Sequence, residues 1–205
     1  MTRRRLGSLL VVAGLLLLAE ALVTVLWQEP ASGLYAHAQQ RRLTEEIARA
    51  ERAAPPRPPR DLRAAARRAR RAAAPGDPVA RLEIPAIGLR TVVVEGTDAG
   101  ALRTGPGHFT GSAMPGEGGT VAVAGHRTTY GAPFRRLDDL ERGDRIVLRM
   151  PYGRVAYRVE RTRIVSPGAT WVTRPAGEER LVLTACHPLY SAEQRIVVLG
   201  RREAS

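Results

Sequence analysis

The chain has 205 residues, one cysteine and a net charge of +12, and all 32 basic residues are arginine. One cysteine excludes an internal disulfide and a thiolate zinc site. The charge first points to nucleic acid, but its distribution argues against that. Residues 41–71 carry eleven Arg against four acidic residues, whereas residues 77–205 carry 18 Arg against 14. The excess sits in a tail, with no helix-turn-helix, zinc or aromatic-stacking pattern beside it, so no nucleic-acid partner is expected.

Residues 1–5 are MTRRR, a short cytoplasmic tail. The apolar run Leu6–Trp27 follows. Twenty-two helical residues reach about 33 Å, enough for a bilayer core of ~30 Å. Arg3, Arg4 and Arg5 place the N-terminus in the cytoplasm, and Trp27 stands where an interfacial aromatic is expected. Glu20 is the one polar flaw in the run. The apolar run is longer than a cleavable signal segment, so residues 6–27 are expected to be an uncleaved transmembrane helix. The protein is then expected in the cell membrane, single-pass, with its remainder extracellular.

Residues 28–76 read as an extracellular stalk, rich in Pro, Ala and Arg. Leu43, Ile47 and Ala50 have the spacing of a short helix. The PPRPP cluster stops any helix, and DLRAAARRARRAAA predicts a second one, capped by Asp61 and ended before Pro75. The segment has too few large apolar residues to build a core.

From residue 77 to 205 the texture is that of short strands between turns. VARLEIP, LRTVVVEG, GTVAVAG, DRIVLRM, GRVAYRVERTRIV, ERLVLTAC and RIVVLGR give an all-β barrel or sandwich. DAGALRTG and APFRRLDDL predict single helical turns. Asp138, Asp139, Glu141 and Asp144 resemble a calcium cluster, but interleaved Arg142 and Arg145 favour a salt-bridged turn. No metal and no cofactor are expected.

The chemistry centres on LTACHPLYSAEQR, Leu183–Arg195. A cysteine nucleophile needs a base or ion-pair partner, and acyl transfer needs donors for the oxyanion. His187 adjoins Cys186, but neighbouring strand residues point to opposite faces, so it shapes the groove better than it serves as base. His126 emerges at the end of the strand TVAVA, in a better position. If LVLTAC and RIVVLGR are adjacent strands, Arg195 returns to the neighbourhood of Cys186, with two donors for a carbonyl oxygen. Thr184, Ala185, His187, His108 and Tyr190 are candidate substrate-binding residues; His108 has an alternative role in ordering its Gly/Pro loop, and Tyr190 in packing at the barrel edge.

The words GPGHFTGSAMPGEGGTVAVAGHRTTYGAPF (Gly105–Phe134) and LTACHPLYSAEQRIVVLGR (Leu183–Arg201) resemble the sortases, membrane-anchored cysteine transpeptidases of Gram-positive bacteria, and most of all class E. The resemblance implies an eight-stranded sortase-type β-barrel, with Cys186 as nucleophile, His126 as acid/base and Arg195 at the oxyanion. It implies cleavage of a C-terminal LAXTG- or LPXTG-like sorting signal between Thr and Gly through a thioacyl intermediate. A peptidoglycan-precursor amine would be the acceptor and secreted signal-bearing proteins the clients. The chain departs from the family pattern Thr-Leu-x-Thr-Cys at Val182 and Ala185, which puts hydrogen bonding around the site in question. Two alternatives remain: a pilin-polymerising sortase, and a non-catalytic membrane-anchored barrel that binds wall polymer or a partner.

Overall fold

The computed structural model describes residues 3–27, 30–55, 59–174 and 177–204. Helices α1 (Arg3–Trp27), α2 (Pro30–Ala53) and α3 (Leu62–Ala72) precede strands β1 (Pro78–Ile84) and β2 (Leu89–Glu95). The short helix α4 (Ala99–Thr104) follows, then β3 (Gly107–His108), β4 (Thr120–Ala124), β5 (Arg145–Met150), β6 (Gly153–Val165), β7 (Arg180–His187) and β8 (Gln194–Arg202). The strands close a barrel in the order β1-β2-β3-β4-β7-β8-β6-β5. This meets the eight-stranded expectation. The pairings β2–β3 and β4–β7 are parallel.

Alternation along the strands decides what fills the barrel and what coats it. On β7, Leu181, Leu183 and Ala185 join the main core, while Val182 belongs to a second cluster on the outer face. On β8, Ile196 and Val198 point inward and Val197 and Leu199 outward. On β4, Val121 and Val123 face in and Ala122 faces out. The outer cluster is covered by Val172, in the helical turn Thr170–Thr173 of the β6–β7 connection, and by Phe109 and Val165. This covered outer face positions the site.

The stalk expected at residues 28–76 is corrected in part, because two of its helices lie on the barrel. Leu43 and Ile47, one turn apart on α2, are fully buried against Val92, Val94 and Ala101. Each such burial is worth about 1.5–3 kcal/mol, so two large apolar residues suffice for a satellite core. Gln40 adds polar anchoring. Its Nε2 donates to the Val92 and Thr104 carbonyls at 3.0 and 2.9 Å, and its Oε1 accepts from the Val92 N–H and the Thr91 hydroxyl. Helix α3 starts as expected, with Asp61 accepting from Ala64 N–H at 2.9 Å. It buries Ala65 and Ala66, packs Leu62 on the main core and pairs Arg70 with Glu117 at 3.0 Å. The Pro cluster falls partly on residues 56–58, and the side chain of Trp27 likewise lies outside the described residues. Among the described residues no helix is long and apolar enough to cross a membrane, so the span expected at 6–27 is not established by the fold.

Candidate active site

Cys186 lies near the end of β7, half-buried and unpaired. Its cross-strand partner on β8 is Arg195, so the two strands are adjacent as the hairpin logic required. His126 comes from the other side. Strand β4 runs parallel to β7 with Ala124 opposite Thr184, and Gly125 N–H extends the pairing by donating to the Thr184 carbonyl at 3.0 Å. The same register carried two residues on puts His126 beside Cys186. Parity completes the argument. Cys186 is in phase with the outward Val182, Arg195 with the outward Val197 and Leu199, and His126 with the outward Ala122. All three residues therefore converge at one end of the outer face.

The electrostatics differ among the three. His126 is half-buried, and burial lowers its pKa below the ordinary histidine value by penalising the imidazolium. Its ring lies 5.1 Å from that of Tyr130. Arg195 is turned onto its own loop, where Nη1 donates to the Ala192 and Gln194 carbonyls, both at 2.9 Å. These are exposed bonds to neutral oxygens, which a developing oxyanion can displace.

The candidate substrate residues separate clearly. Thr184 shares the outward face with Cys186 but is buried, at 9% exposure. Tyr190, on the β7–β8 connection, is 62% exposed and lies against Arg135, whose guanidinium sits 5.9 Å from its ring. Ala185 is corrected: it is 4% exposed and belongs to the barrel interior, opposite in phase to Cys186. The missing hydroxyl at this position would point into the core. His108 is also corrected. It is 1% exposed, with Nδ1 at 2.8 Å from Glu95 and Nε2 at 2.9 Å from Ser112 Oγ and 3.1 Å from the Ala113 carbonyl. It orders its own loop and is closed to substrate.

His187 is occupied by a residue that sequence reasoning passed over. Arg127 Nη1 donates to His187 Nδ1 at 3.0 Å, and Arg127 Nη2 lies 2.6 Å from Asp138 Oδ2. Burial alone would raise the Asp138 carboxyl, but the Arg127 guanidinium beside it holds it below the usual carboxylate range. The salt-bridged turn therefore forms with other partners than expected: Asp139 pairs with Arg136, and Arg145 with Glu203. Among the described residues no group of His, Cys, Asp or Glu is arranged to hold a metal. A cleft of about 670 Å³ lies between α2 and the β1–β2 hairpin, and Cys186, His126 and Arg195 do not line it.

The chain is 39% identical over 125 residues to sortase D of Bacillus subtilis (strain 168), covering 59% of this chain and 62% of that protein. It is 29% identical over 143 residues to sortase SrtE1 of Streptomyces coelicolor, covering 62% of this chain and 41% of that protein. The chain thus spans less than two thirds of the length of these curated relatives, and the likeness is not confined to class E. Among solved structures, the Clostridium perfringens sortase D5 transpeptidase superposes with a TM-score of 0.69 at 25% identity, covering 82% of this chain and 99% of that one. Sortase E from Streptomyces avermitilis gives a TM-score of 0.58 at 31% identity, covering 64% and 91%. The sortase domain model matches residues 82–203, a stretch that runs from β1 to the end of β8 and holds all three converging side chains, and the chain belongs to the sortase family.

Proposed function

We propose that the protein is a cysteine transpeptidase that cleaves a sorting signal of LAXTG or LPXTG type between Thr and Gly. The Cys186 thiolate attacks the Thr carbonyl carbon, and Arg195 turns from its loop carbonyls to the oxyanion. As the C–N bond breaks, protonated His126 gives its proton to the leaving Gly amine. The product is a thioester between Cys186 and the Thr carbonyl. The amine of a peptidoglycan precursor then attacks that thioester; a new amide forms, the thiolate leaves, and His126 takes up the amine's proton.

What supports this reading is Cys186 opposite Arg195 in the β7–β8 ladder, together with the β4–β7 register at Ala124 and Thr184, which carried on by two residues would set His126 beside Cys186. A half-buried thiol in that setting has a candidate proton-transfer partner in His126 and, in Arg195, a cation that can swing to a developing oxyanion. The pilin-polymerising alternative is not favoured: the curated relatives are a sortase D at 39% identity and a sortase E at 29%.

The anchor belongs to the same proposal. Leu9, Leu10, Leu15, Leu16, Leu17, Leu18 and Leu22 of α1 are all more than half exposed and occupy every side of the helix. A helix apolar all round is unfavourable in water and suited to lipid. With Arg3–Arg5 ahead of it, the N-terminus would be cytoplasmic and the barrel extracellular.

The test is incubation of the protein with LAXTG, LPXTG and related peptides plus an amine, read by mass spectrometry. Cleavage, amine transfer and a Cys186 acyl adduct are expected, and Cys186→Ala should lose all three. Intact peptides with folded enzyme across the whole panel, or activity that survives Cys186→Ala, would overturn the reading in favour of a non-catalytic barrel.

A further inference from the structure

Arg127 and His187 each follow a residue of the proposed site, His126 and Cys186. Among the described residues, the last backbone hydrogen bond joining these two segments is Gly125 N–H to the Thr184 carbonyl. Past that point the ladder ends, yet the thiol and the imidazole must still be held in fixed relation. The contact that spans the gap is the side-chain bond from Arg127 Nη1 to His187 Nδ1, across 60 positions of sequence.

The chemistry of the bond is restrictive. A guanidinium only donates, so His187 Nδ1 must accept. The Arg127 side chain is 2% exposed, and its far end is tied to Asp138, in the helical turn Leu137–Asp139. The chain Asp138–Arg127–His187 therefore links the β4–β5 connection to the residue after the nucleophile. Arg127 Nε and Nη2 are buried without a hydrogen-bond partner among the described residues, and Nη2 meets Asp138 as an ion pair. Burying a guanidinium with incomplete bonding costs stability, and an apolar side chain of similar volume would cost less. The arrangement is poorly explained as a stabilising device and well explained as a geometric one.

We infer that Arg127 is a positioning residue: by clasping His187 it sets the distance and orientation at which Cys186 and His126 meet. This rests on the proposed roles of Cys186 and His126. Arg127 itself touches no reacting atom; it acts through the two segments it joins.

The test uses the full chain in detergent, with Arg127→Met, Arg127→Lys, His187→Ala and the Arg127→Met/His187→Ala double variant. The main readout needs no substrate: the rate of Cys186 alkylation by iodoacetamide across pH. The second is kcat and KM for peptide cleavage. A displacement of about 1 Å between reacting groups costs on the order of 100-fold, so Arg127→Met should lower kcat by at least ~10-fold. KM should stay within about 3-fold, as expected when an interaction needed only in the transition state is lost. The alkylation profile should move in the same variants. Arg127→Lys, which keeps one donor and the charge, should recover part of both. The double variant should be no worse than the worse single, because both substitutions break one contact.

A folded Arg127→Met protein with the wild-type alkylation profile, or losses that add in the double variant, overturns the inference. If Arg127→Met does not fold, His187→Ala, which removes the half-exposed end of the clasp, decides the matter: a moved profile supports it and an unchanged one overturns it. Failure of the functional reading is separate, for it would appear as wild-type enzyme that is alkylated normally but cleaves no peptide.

Discussion

Cys186 stands directly opposite Arg195 in the β7–β8 ladder, yet the Arg195 guanidinium is bonded to the Ala192 and Gln194 carbonyls of its own loop. The cation is near the thiol by strand register and is held aside by weak, exposed bonds. Removing it should therefore leave the resting thiol unchanged and damage the transition state. Arg195→Ala is expected to lower kcat by roughly 100- to 1,000-fold, the cost of losing an oxyanion donor. Iodoacetamide should alkylate Cys186 in that variant at the wild-type rate. Arg195→Lys should recover little, since an ammonium cannot present two parallel donors.

Gly125 sets the exit angle of His126 from β4. A Cβ at this position would lie 2.6 Å from Phe134 Cδ2. Phe134 is fully buried, so its ring lacks open space to retreat into, and its N–H donates to the His126 carbonyl at 3.0 Å. Gly125→Ala should cost about 1–3 kcal/mol in unfolding free energy from overpacking. It should also slow peptide cleavage by about 10-fold or more through displacement of the imidazole. Thermal unfolding and single-turnover kinetics measure the two effects. Pairing it with Phe134→Leu should restore part of the activity.

How legible was this site? The strand words of β1, β2 and β4–β8 were readable because alternation and turn residues mark them locally. The relation of Cys186 to Arg195 followed from one hairpin connection. Ala185 was misplaced as a contact although strand parity, applied from Cys186 outward, would have sent it inward. Strand β3 is two residues long and pairs in parallel with β2, so no local pattern announces it. His108 turned on a partner 13 residues away, Glu95, that only the barrel brings near. Arg127 was hidden by composition. In a chain where every basic residue is arginine, nothing local separates a buried arginine from the exposed ones. The docking of α2 rests on Leu43, Ile47 and Gln40, three residues in a segment whose average composition is that of a spacer.

Gln40 offers a direct check of that docking. Its amide satisfies both the N–H and the carbonyl of Val92 and the carbonyl of Thr104. Gln40→Ala would strand these partly buried backbone groups at about 1–3 kcal/mol for each left unsolvated. With water entering from the open side, a net loss of about 2–4 kcal/mol is expected, or several degrees in Tm. Gln40→Glu keeps the acceptor for Val92 N–H but sets a carboxylate oxygen against the Val92 and Thr104 carbonyls, so it should cost at least as much. Equal melting temperatures for all three proteins would mean that α2 is a free spacer after all.

The lowered pKa of His126 has consequences with a definite sign. Burial favours the neutral imidazole, so the unfolded chain, titrating near the ordinary value of ~6.5, binds its proton first as pH falls. The contribution of His126 to stability is thus constant above about pH 6.5. It is lost progressively as pH falls from there through the folded-state value. In Cys186→Ala, where no thiolate can hold the imidazolium, the His126 resonances should titrate with a midpoint below that of a free histidine. A midpoint at or above the free value would contradict the burial argument. In the active protein the same shift makes protonated His126 scarce at neutral pH, unless the Cys186 thiolate retains it. The rate of thioester formation should therefore rise in a variant that opens the His126 pocket to water, such as Tyr130→Ala, whose ring now packs 5.1 Å away. Peptide cleavage by Tyr130→Ala that is no faster than wild type at neutral pH, with His126 titrating higher, would show that proton supply does not limit this enzyme.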